Sequence, residues 1–274
     1  MNICFRLLFL WLFLLQPVTS YSQSGSVTAG ARTAAMAGAG VNLKDVFAVT
    51  NNISGIAGLK QVALGVYAQN RFNLKALSTV SLQGVYPLAK AAGAVGLEFS
   101  RFGDKLYNEQ QVGLGFAHQL GTVSLGIKAT LWQVHLEELG SKRTVAFSFG
   151  GQSEIIPNLV VGAHLFNLNQ AKLATYQDER LPTRMTAGLT YKPSQKILVS
   201  LQTDKSLTTA ADFKAGLEYF VIPKLGFRTG ISSATQSATG GFGFKAKSFQ
   251  LDYALGGHAV LGVSNHVSAS YQFE

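Results

Sequence analysis

Glycine-rich loops bind phosphate groups, and residues 30–55, which read GARTAAMAGAGVNLKDVFAVTNNISG, have the glycine content of such a loop. A dinucleotide-binding loop requires G-x-G-x-x-G between a strand and a helix, with a carboxylate about 20 residues later. Gly38 and Gly40 supply the first two glycines, but Leu43 occupies the third position and no strand pattern precedes them. The G-K-[ST] ending of a nucleoside-triphosphate loop is also absent. The sequence therefore argues against nucleotide binding.

Residues that could form a catalytic or metal site are few and scattered. The chain contains neither G-x-S-x-G nor H-E-x-x-H, the short signatures of serine hydrolases and zinc peptidases. A catalytic site assembled from distant residues such as Ser148 and His164 stays open, but both are ordinary residues for the polar face of a strand. We therefore expect no catalytic site, no metal and no cofactor. The histidines, which show no close metal-ligand spacing, are His118, His135, His164, His258 and His266.

The N-terminus has the layout of a secretory signal peptide. Arg6 precedes an unbroken apolar run over residues 7–15, and small residues follow before Gln23. The run is too short to span a bilayer as a retained helix. We therefore predict a signal peptide over residues 1–22 and an exported protein. The single cysteine, Cys4, lies ahead of the apolar run, so cleavage leaves a protein without thiol chemistry.

Apolar and polar residues alternate along most of the chain after residue 60. In TVSLGIKATL, residues 122–131, the odd positions are apolar and the even positions are small or polar. This period indicates strands with one apolar face. The mean hydropathy is +0.20, although no apolar run is long enough for a transmembrane helix. A soluble all-β domain and an outer-membrane barrel both fit this combination.

The alternation predicts fourteen strands. Turns after even-numbered strands are short and often contain proline, whereas connections after odd-numbered strands are mostly longer, up to residues 167–183. This arrangement is typical of a barrel with a periplasmic and an extracellular rim. We therefore predict an all-β fold, a transmembrane antiparallel up-and-down β-barrel over residues 61–274. The predicted strands are 61–72, 75–86, 92–102, 110–119, 121–134, 143–151, 159–166, 184–192, 196–203, 211–221, 224–232, 239–247, 248–256 and 265–273.

Charged and aromatic residues favour a membrane barrel over a soluble sandwich. A basic residue that faces lipid at the midplane costs about 2–4 kcal/mol, and nearly all strand charges lie on the polar face. They are Glu98, Lys128, Lys192, Lys214, Glu218, Arg228, Lys245, Lys247 and Asp252. Arg101 faces the other way, but at a strand end, where a long side chain can reach water. Aromatic residues recur on the apolar face near the ends of even-numbered strands, where a periplasmic girdle is expected. They are Tyr86, Phe149, Tyr191, Tyr219, Tyr271 and Phe273.

The segment before the first strand, residues 23–60, has no strand period. A fourteen-stranded barrel is wider than the size that wall side chains alone can fill, so its lumen is plugged or it conducts. Small residues such as Ala34, Ala35 and Gly38 would let the segment pack closely against a barrel wall. We therefore predict a plug, or hatch, inside the lumen, with a disordered exported N-terminus as the alternative.

The formal net charge of +9 would suit nucleic acid, but export and an apolar lipid-facing surface argue against that partner. Outer-membrane lipid, anionic lipopolysaccharide or an acidic solute fits better. Basic residues on the polar face of neighbouring strands are candidates for contacts with an anion in the lumen. They are Lys214, Arg228, Lys245 and Lys247, with Glu218 nearby. Pairing of these side chains with one another and with hatch residues such as Asp45 is the simpler alternative.

Residues 30–59, GARTAAMAGAGVNLKDVFAVTNNISGIAGL, resemble the N-terminal signature of the PorV/PorQ family of Bacteroidetes outer-membrane proteins, relatives of the FadL-type fatty-acid transporters. In that family a Gly-Ala-Arg-x-Ala-x-Met-x-Gly-Ala block precedes an Asn-Pro-Ala-Gly-Leu block. The similarity continues in LPTRMTAGLTYKP, FKAGLEYF, LGFRTGI and FQLDYALGGHAVLGVSNHVSASYQF. The hatch residues that carry it are Gly30, Ala31, Arg32, Met36, Gly38, Gly40, Asn51 and Asn52.

The sequence departs from this pattern at Asn51–Gly55, where the proline is missing, and at its end, where Glu274 follows the aromatic Phe273. The resemblance implies a FadL-like barrel in the outer membrane of a Gram-negative bacterium. For the better-studied relatives it also implies work with the type IX secretion system, through binding of cargo proteins or surface-attachment components. We therefore expect a barrel that binds partner proteins for secretion or surface attachment.

The alternative is a FadL-like channel for a hydrophobic or amphipathic small molecule, such as a fatty-acid-like ligand. A lateral gap in the wall or an apolar pocket behind the hatch would favour the channel. A sealed barrel with a partner surface on its loops would favour the binding of proteins. The inward faces of the strands read Ser, Thr, Gly, Gln and Lys, which slightly disfavours a large apolar pocket.

Overall fold

Fourteen antiparallel strands form a closed barrel in the computed structural model, which describes residues 28–88, 93–173, 180–207, 209–234, 237–258 and 260–273. Each strand pairs with its neighbours in sequence, and β1 pairs with β14 to close the wall. The strands are β1 Ala63–Asn70, β2 Ser78–Leu88, β3 Gly93–Gly103, β4 Tyr107–Leu120, β5 Val123–Leu136, β6 Gly140–Ile156, β7 Leu159–Phe166, β8 Arg184–Ser194, β9 Ile197–Ser206, β10 Asp212–Ile222, β11 Leu225–Ser232, β12 Ser237–Ala246, β13 Phe249–His258 and β14 Gly262–Gln272.

The predicted up-and-down barrel and its number of strands are confirmed. The largest difference in length is β6, predicted over 143–151 and observed over Gly140–Ile156. Its first residues are polar and exposed, yet they continue the ladder with β5, for example through the pair Gln133 and Arg143. Backbone pairing therefore extends beyond the band in which apolar residues alternate, and the alternation alone underestimates the strand.

The two rims of the barrel differ as predicted. Two-residue turns follow β4, β6, β8, β10 and β12, and we call this rim the short-turn end. The connections after odd-numbered strands lie at the opposite rim, the long-loop end, and the longest joins β7 to β8. Lys247 occupies the β12–β13 turn with φ 49 and is exposed. The prediction that Lys247 faces the lumen from a strand is therefore wrong, because β12 ends at Ala246.

The outer face of the barrel is apolar and exposed. The six aromatic residues of the predicted girdle all lie on it, with exposed fractions from 39% for Phe149 to 62% for Tyr86. Arg101 is also exposed on this face, near the end of β3. Among the predicted inward charges, Glu98, Lys128, Glu218, Arg228 and Asp252 are buried. The alternation thus separates a lipid-compatible exterior from a polar interior, as a membrane barrel requires.

Residues 29–57 are mostly buried inside the barrel, and we call residues 28–60 the hatch. The hatch contains α1 Ala31–Ala35, α2 Ala48–Asn51 and a 3₁₀ helix Ile53–Gly58. Within the described ranges no helix is long and apolar enough to cross a bilayer. The predicted signal peptide, residues 1–22, and the start of the predicted plug segment, residues 23–27, fall outside the described residues.

A basic residue in the middle of the outer face should destabilise the barrel. Leu131 lies near the centre of β5 and is 44% exposed on the outer face, so we expect Leu131→Arg to lower the unfolding free energy by about 2–4 kcal/mol in lipid vesicles. Leu139→Arg, in the loop after β5, is the control, because Leu139 is 79% exposed beyond the strand. Urea titrations that give equal losses for both variants would contradict a lipid-facing role for Leu131.

Candidate functional site

The hatch fits into the barrel because the wall lacks side chains where the hatch touches it. Inward-facing glycines form a ring around the hatch, and several are directly paired across strands, such as Gly216 with Gly230 and Gly162 with Gly188. A Cβ atom at any of these positions would collide with hatch atoms. The wall glycines in contact with the hatch are Gly65, Gly96, Gly115, Gly126, Gly150, Gly162, Gly188, Gly216, Gly230 and Gly241.

Met36, one of the predicted hatch residues, shows how close this approach is. Its side chain is fully buried. A Cβ at Gly216 would lie 2.6 Å from the Met36 Cβ, and a Cβ at Gly230 would lie 2.6 Å from the backbone nitrogen of Ala37. Real Cβ atoms do not approach other atoms so closely. Any larger residue at these two wall positions therefore requires the hatch to move.

The first turn of the hatch depends on residues that accept unusual backbone angles. Gly30 precedes α1 with φ 92, and a Cβ there would contact the Phe47 ring at 2.9 Å. At the end of α1, the Gly38 amide donates to the Thr33 carbonyl at 2.9 Å and the Ala37 amide donates to the Ala34 carbonyl at 3.1 Å. This pair of bonds is a Schellman motif, and Gly38, with φ 85, directly follows its left-handed residue Ala37.

Two predicted hatch residues, Asn51 and Asn52, join its separate parts. Asn51 exchanges two hydrogen bonds of 2.9 Å with the backbone of Ala29. Asn52 donates from Nδ2 to the Val41 carbonyl at 2.9 Å, and its Oδ1 accepts from Ser54 Oγ at 2.9 Å. The Asn52 side chain also accepts from the Ser54 amide and so caps the 3₁₀ helix. This helix therefore begins without the proline that the resemblance led us to expect.

Hydrogen bonds also tie the hatch backbone to wall side chains. The Ala31 amide donates to Ser268 Oγ at 3.0 Å, and the Val41 amide donates to Gln202 Oε1 at 3.0 Å. Asn42, which is not among the predicted residues, donates from Nδ2 to the Gly188 carbonyl at 3.1 Å. These contacts attach the hatch on several sides of the barrel, so it can leave only if several of them break together.

A cluster of five charged residues is the strongest polar link between the hatch and the wall. Arg32 in α1 contacts Glu218 of β10 through Nη2 at 2.5 Å and Nε at 3.0 Å. Glu218 also accepts from Arg228 Nε at 2.6 Å, and Arg228 Nη1 donates to Asp252 at 2.6 Å. Asp45 of the hatch lies 3.6 Å from Arg32 Nη1. Two positive and three negative charges alternate through this cluster, so each has an oppositely charged partner, which buried charges require.

The other basic residues predicted to face the lumen pair with carboxylates or are exposed near the short-turn end. Lys214 donates to Asp204 at 2.5 Å and lies 3.6 Å from Asp212. Lys128 donates to Glu98 at 2.7 Å. Lys245 is exposed near the end of β12. The simpler alternative, in which these side chains pair with carboxylates, therefore describes Lys214 and Arg228.

A cavity of about 520 Å³ lies beside the hatch at the short-turn end. Arg32 and Glu218 line it together with residues of the β8–β9 hairpin. Its polar side includes Lys192 and its apolar side includes Leu198 and Phe220. The volume falls in the range of about 300–1,000 Å³ that is usual for small-molecule sites.

At the long-loop end the lumen is narrowed by an apolar cluster beneath the β7–β8 loop. Trp132 is fully buried, and its ring centroid lies 5.7 Å from that of Phe166. Ala171 and Leu181 from the loop pack on them. Asn167 holds the loop in place by donating to the Leu181 carbonyl at 2.8 Å and accepting from the Ala171 amide at 2.8 Å. The sequence analysis predicted this loop to be the longest and made no prediction about the direction in which it folds.

Solved structures with a similar fold are outer-membrane barrels. The toluene transporter TbuX of Ralstonia pickettii gives a TM-score of 0.66 at 14% identity, covering 89% of this chain and 98% of that one. The toluene transporter TodX of Pseudomonas putida gives 0.61 at 12% identity, covering 92% and 98%. A FadL homologue of Pseudomonas aeruginosa gives 0.62 at 13% identity, covering 90% and 99%. This chain has the FadL-like barrel fold.

No protein-family model and no curated protein matches the chain. The similar solved structures confirm the FadL-like fold that the resemblance implied. Membership of the PorV/PorQ family is not shown. Within the described part of this FadL-like barrel, no group of three His, Cys, Asp or Glu side chains could hold a metal ion.

Sequence reasoning located the hatch residues but missed their partners in the wall. The wall glycines had a visible signal, since glycine recurs at inward positions of successive strands such as Gly188 and Gly216. Asn42 and Trp132 had no comparable signal, because their roles depend on contacts between segments far apart in the chain. Of the predicted ionic residues, Glu218 and Arg228 form a buried ion pair and Lys214 forms a partly buried one.

A larger residue in the glycine ring should displace the hatch and open the lumen. We expect Gly230→Leu to raise single-channel conductance in planar bilayers roughly tenfold, because a barrel of this width is not filled by its wall side chains. Gly240→Leu is the matched control, since a Cβ at Gly240 meets only the Arg228 carbonyl, at 3.7 Å. Unchanged conductance in a folded Gly230→Leu barrel would contradict the contact between the hatch and the glycine ring.

The charged cluster should make stability depend on pH through Asp45. Burial raises the pKa of the Asp45 carboxyl above its ordinary value, although Arg32 lowers it in part. Burial opposes the charge of Arg32, but Glu218 outweighs it and raises the pKa of that guanidinium. Arg32 therefore stays charged, and Asp45 is the member of this pair whose charge changes with pH.

A folded state that holds the Asp45 proton more tightly loses stability as pH rises from the ordinary carboxyl pKa, about 3.9, through the raised value. We expect the stability of Asp45→Asn relative to the native chain to increase over this interval and then to level off. Urea unfolding at a series of pH values measures this difference, with Glu137→Gln, an exposed loop residue, as the control. A difference that does not vary with pH would contradict the burial of Asp45.

Proposed function

We propose that the protein is an outer-membrane channel for small amphipathic molecules and that the hatch is its gate. The observation that carries this proposal is the cavity of about 520 Å³ beside the hatch. Arg32 belongs both to the cavity lining and to the charged cluster that fixes the hatch to the wall. A molecule in the cavity is therefore in contact with the residue that holds the gate closed.

The lining of the cavity supports an amphipathic substrate. Ile197, Leu198 and Phe220 offer apolar contact, while Lys192 and Glu218 offer charge. The similar structures include toluene transporters and a FadL homologue, which supports transport of a small molecule. The proposed location is the outer membrane of a Gram-negative bacterium, where the apolar outer face contacts lipid and lipopolysaccharide.

The role in type IX secretion, through cargo proteins or secretion components, rests on the sequence resemblance alone. The three similar structures described above are named as transporters or as a FadL homologue, and none of the three is named as a secretion protein. The two features that would favour a channel, a lateral gap in the wall and a pocket behind the hatch, give different answers. The wall is closed along all its strand pairs, without a lateral gap in the described strands, but the cavity beside the hatch fits a channel.

A disulfide between the hatch and the wall tests the gate directly. Met36→Cys with Gly216→Cys places two thiols where the Met36 Cβ and a Cβ at Gly216 would be 2.6 Å apart, so the hatch must move from the wall by about 1 Å to reach the Cβ separation of a disulfide. We expect the oxidised double variant in vesicles to block uptake of a naphthalene sulfonate dye and a reductant to restore it. The single variants, which cannot form this bond, should transport equally with and without reductant.

Equal uptake by the oxidised and the reduced double variant would contradict the proposal that the hatch is the gate. If the native chain transports no dye, while purification from outer membranes in mild detergent recovers type IX secretion components identified by mass spectrometry, the channel function is wrong. In that case the partner-binding function is correct.

A further inference from the structure

Lysines concentrate on one side of the short-turn end. They lie on three consecutive hairpins, β8–β9, β10–β11 and β12–β13, and all of them are exposed. We call this group the basic arc, and its members are Lys192, Lys196, Lys224, Lys245 and Lys247.

Backbone hydrogen bonds join the three hairpins into one continuous edge. The Lys196 carbonyl in the β8–β9 turn accepts from the Phe220 amide of β10 at 2.8 Å. The Lys224 carbonyl in the β10–β11 turn accepts from the Lys245 amide of β12 at 2.8 Å. The basic arc is therefore one connected surface and not a set of separate charges.

The basic arc contains no negative charge of its own. Its side-chain amines make no hydrogen bond or ion pair within the described residues. Glu154 and the buried Glu218 lie near Lys192 but outside the arc. Lys44 of the hatch, which is exposed, adds a positive charge beside Lys192. The turns of the arc and their flanking residues lack Asp and Glu over residues 191–197, 219–226 and 244–250.

The basic arc faces the mouth of the barrel more than the surrounding lipid. Tyr191 and Phe244 are exposed on the outer face, so Lys192 and Lys245, which directly follow them, occupy inward positions of their strands. Phospholipid headgroups surround the outside of a barrel. The arc is therefore better placed to meet a molecule that approaches the mouth from the periplasm than to bind these headgroups.

The larger cavity lies in the same sector of the rim. The β8–β9 hairpin lines it with Lys192 and residues 193–195. The turns of all three hairpins have two residues and do not project, so a flat surface could contact all three at once. A macromolecule seated on the basic arc would therefore cover this side of the cavity.

We propose that an acidic face of a soluble periplasmic protein docks on the basic arc and covers the cavity at the short-turn end. Complementary charges at an exposed surface speed association and orient the partner more than they tighten binding. Salt screens such charges, so the complex is transient and sensitive to salt. The proposal rests on the proposed outer-membrane location, which places this end in the periplasm, and it does not depend on transport.

Fluorescence anisotropy of a labelled polyglutamate peptide, with the purified full chain in a non-ionic detergent, tests the surface. We expect saturable binding at low salt that weakens as salt is added. Replacing three lysines in the turns should weaken binding roughly tenfold, because each exposed charge pair contributes modestly. This arc variant combines Lys196→Gln, Lys224→Gln and Lys247→Gln.

The matched control removes three exposed lysines from the long-loop end and should bind the peptide like the native chain. It combines Lys75→Gln, Lys105→Gln and Lys142→Gln. Both variants lose the same net charge, so a difference between them reports the position of the charges.

Protection of a cysteine tests whether the bound peptide covers the cavity. Gln195→Cys, in a chain that also carries Cys4→Ser, places a thiol at the cavity lining. We expect bound peptide to slow its reaction with a neutral maleimide several-fold. Leu139→Cys, exposed at the opposite end, should react at the same rate with and without peptide.

The proposal is overturned if the folded arc variant binds as well as the control, or if the peptide does not protect the Gln195→Cys thiol. It is also overturned if short-chain phosphatidylglycerol displaces the peptide at concentrations where sodium chloride does not, because the arc would then bind lipid headgroups. Heat-dependent mobility in electrophoresis verifies that each variant is folded. These assays measure docking alone, so a negative result leaves the channel function intact, and a failure of dye transport leaves the docking surface intact.

Discussion

The close approach between the hatch and a wall without side chains is the constraint on which the rest of the structure depends. A barrel of this width has space to fill, and the hatch fills it only because glycines such as Gly150 and Gly230 leave room. Once the hatch is seated, apolar residues including Phe47 and Ile53 become fully buried, each worth about 1.5–3 kcal/mol. Arg32 of the hatch then lies beside the charged residues of β10, β11 and β13.

Those charged residues connect the hatch, which closes the lumen, with the cavity at the short-turn end. Arg32 is held by Glu218, and Glu218 is also held by Arg228, so the hatch is attached to a cluster and not to one side chain. The same arginine lines the cavity at the short-turn end. A much smaller cavity of about 10 Å³ lies beside Gly38 and Gly40 of the hatch and is also lined by Asp204. The hatch therefore contributes lining residues to both cavities.

The barrel could be predicted from the sequence because each strand shows its own alternation of apolar and polar residues. A strand between lipid and lumen has to alternate every residue, and segments such as 122–131 show that alternation directly. The hatch was predictable only as a segment that lacks this period. Its conformation depends on long-range contacts, such as the hydrogen bond from Val41 to Gln202, which no local pattern encodes. Lys247 was misplaced for a related reason, since the exact end of a strand depends on the turn geometry.

The pairing of wall glycines with hatch side chains also constrains how the protein can evolve. Gly150 leaves room for Asn52, Gly162 for Asn42, and Gly216 and Gly230 for Met36. A substitution that enlarges one member of such a pair is tolerated only if its counterpart shrinks. The hatch and the barrel, although separated by long stretches of chain, are therefore expected to change in concert, and homologues should show covariation between these positions.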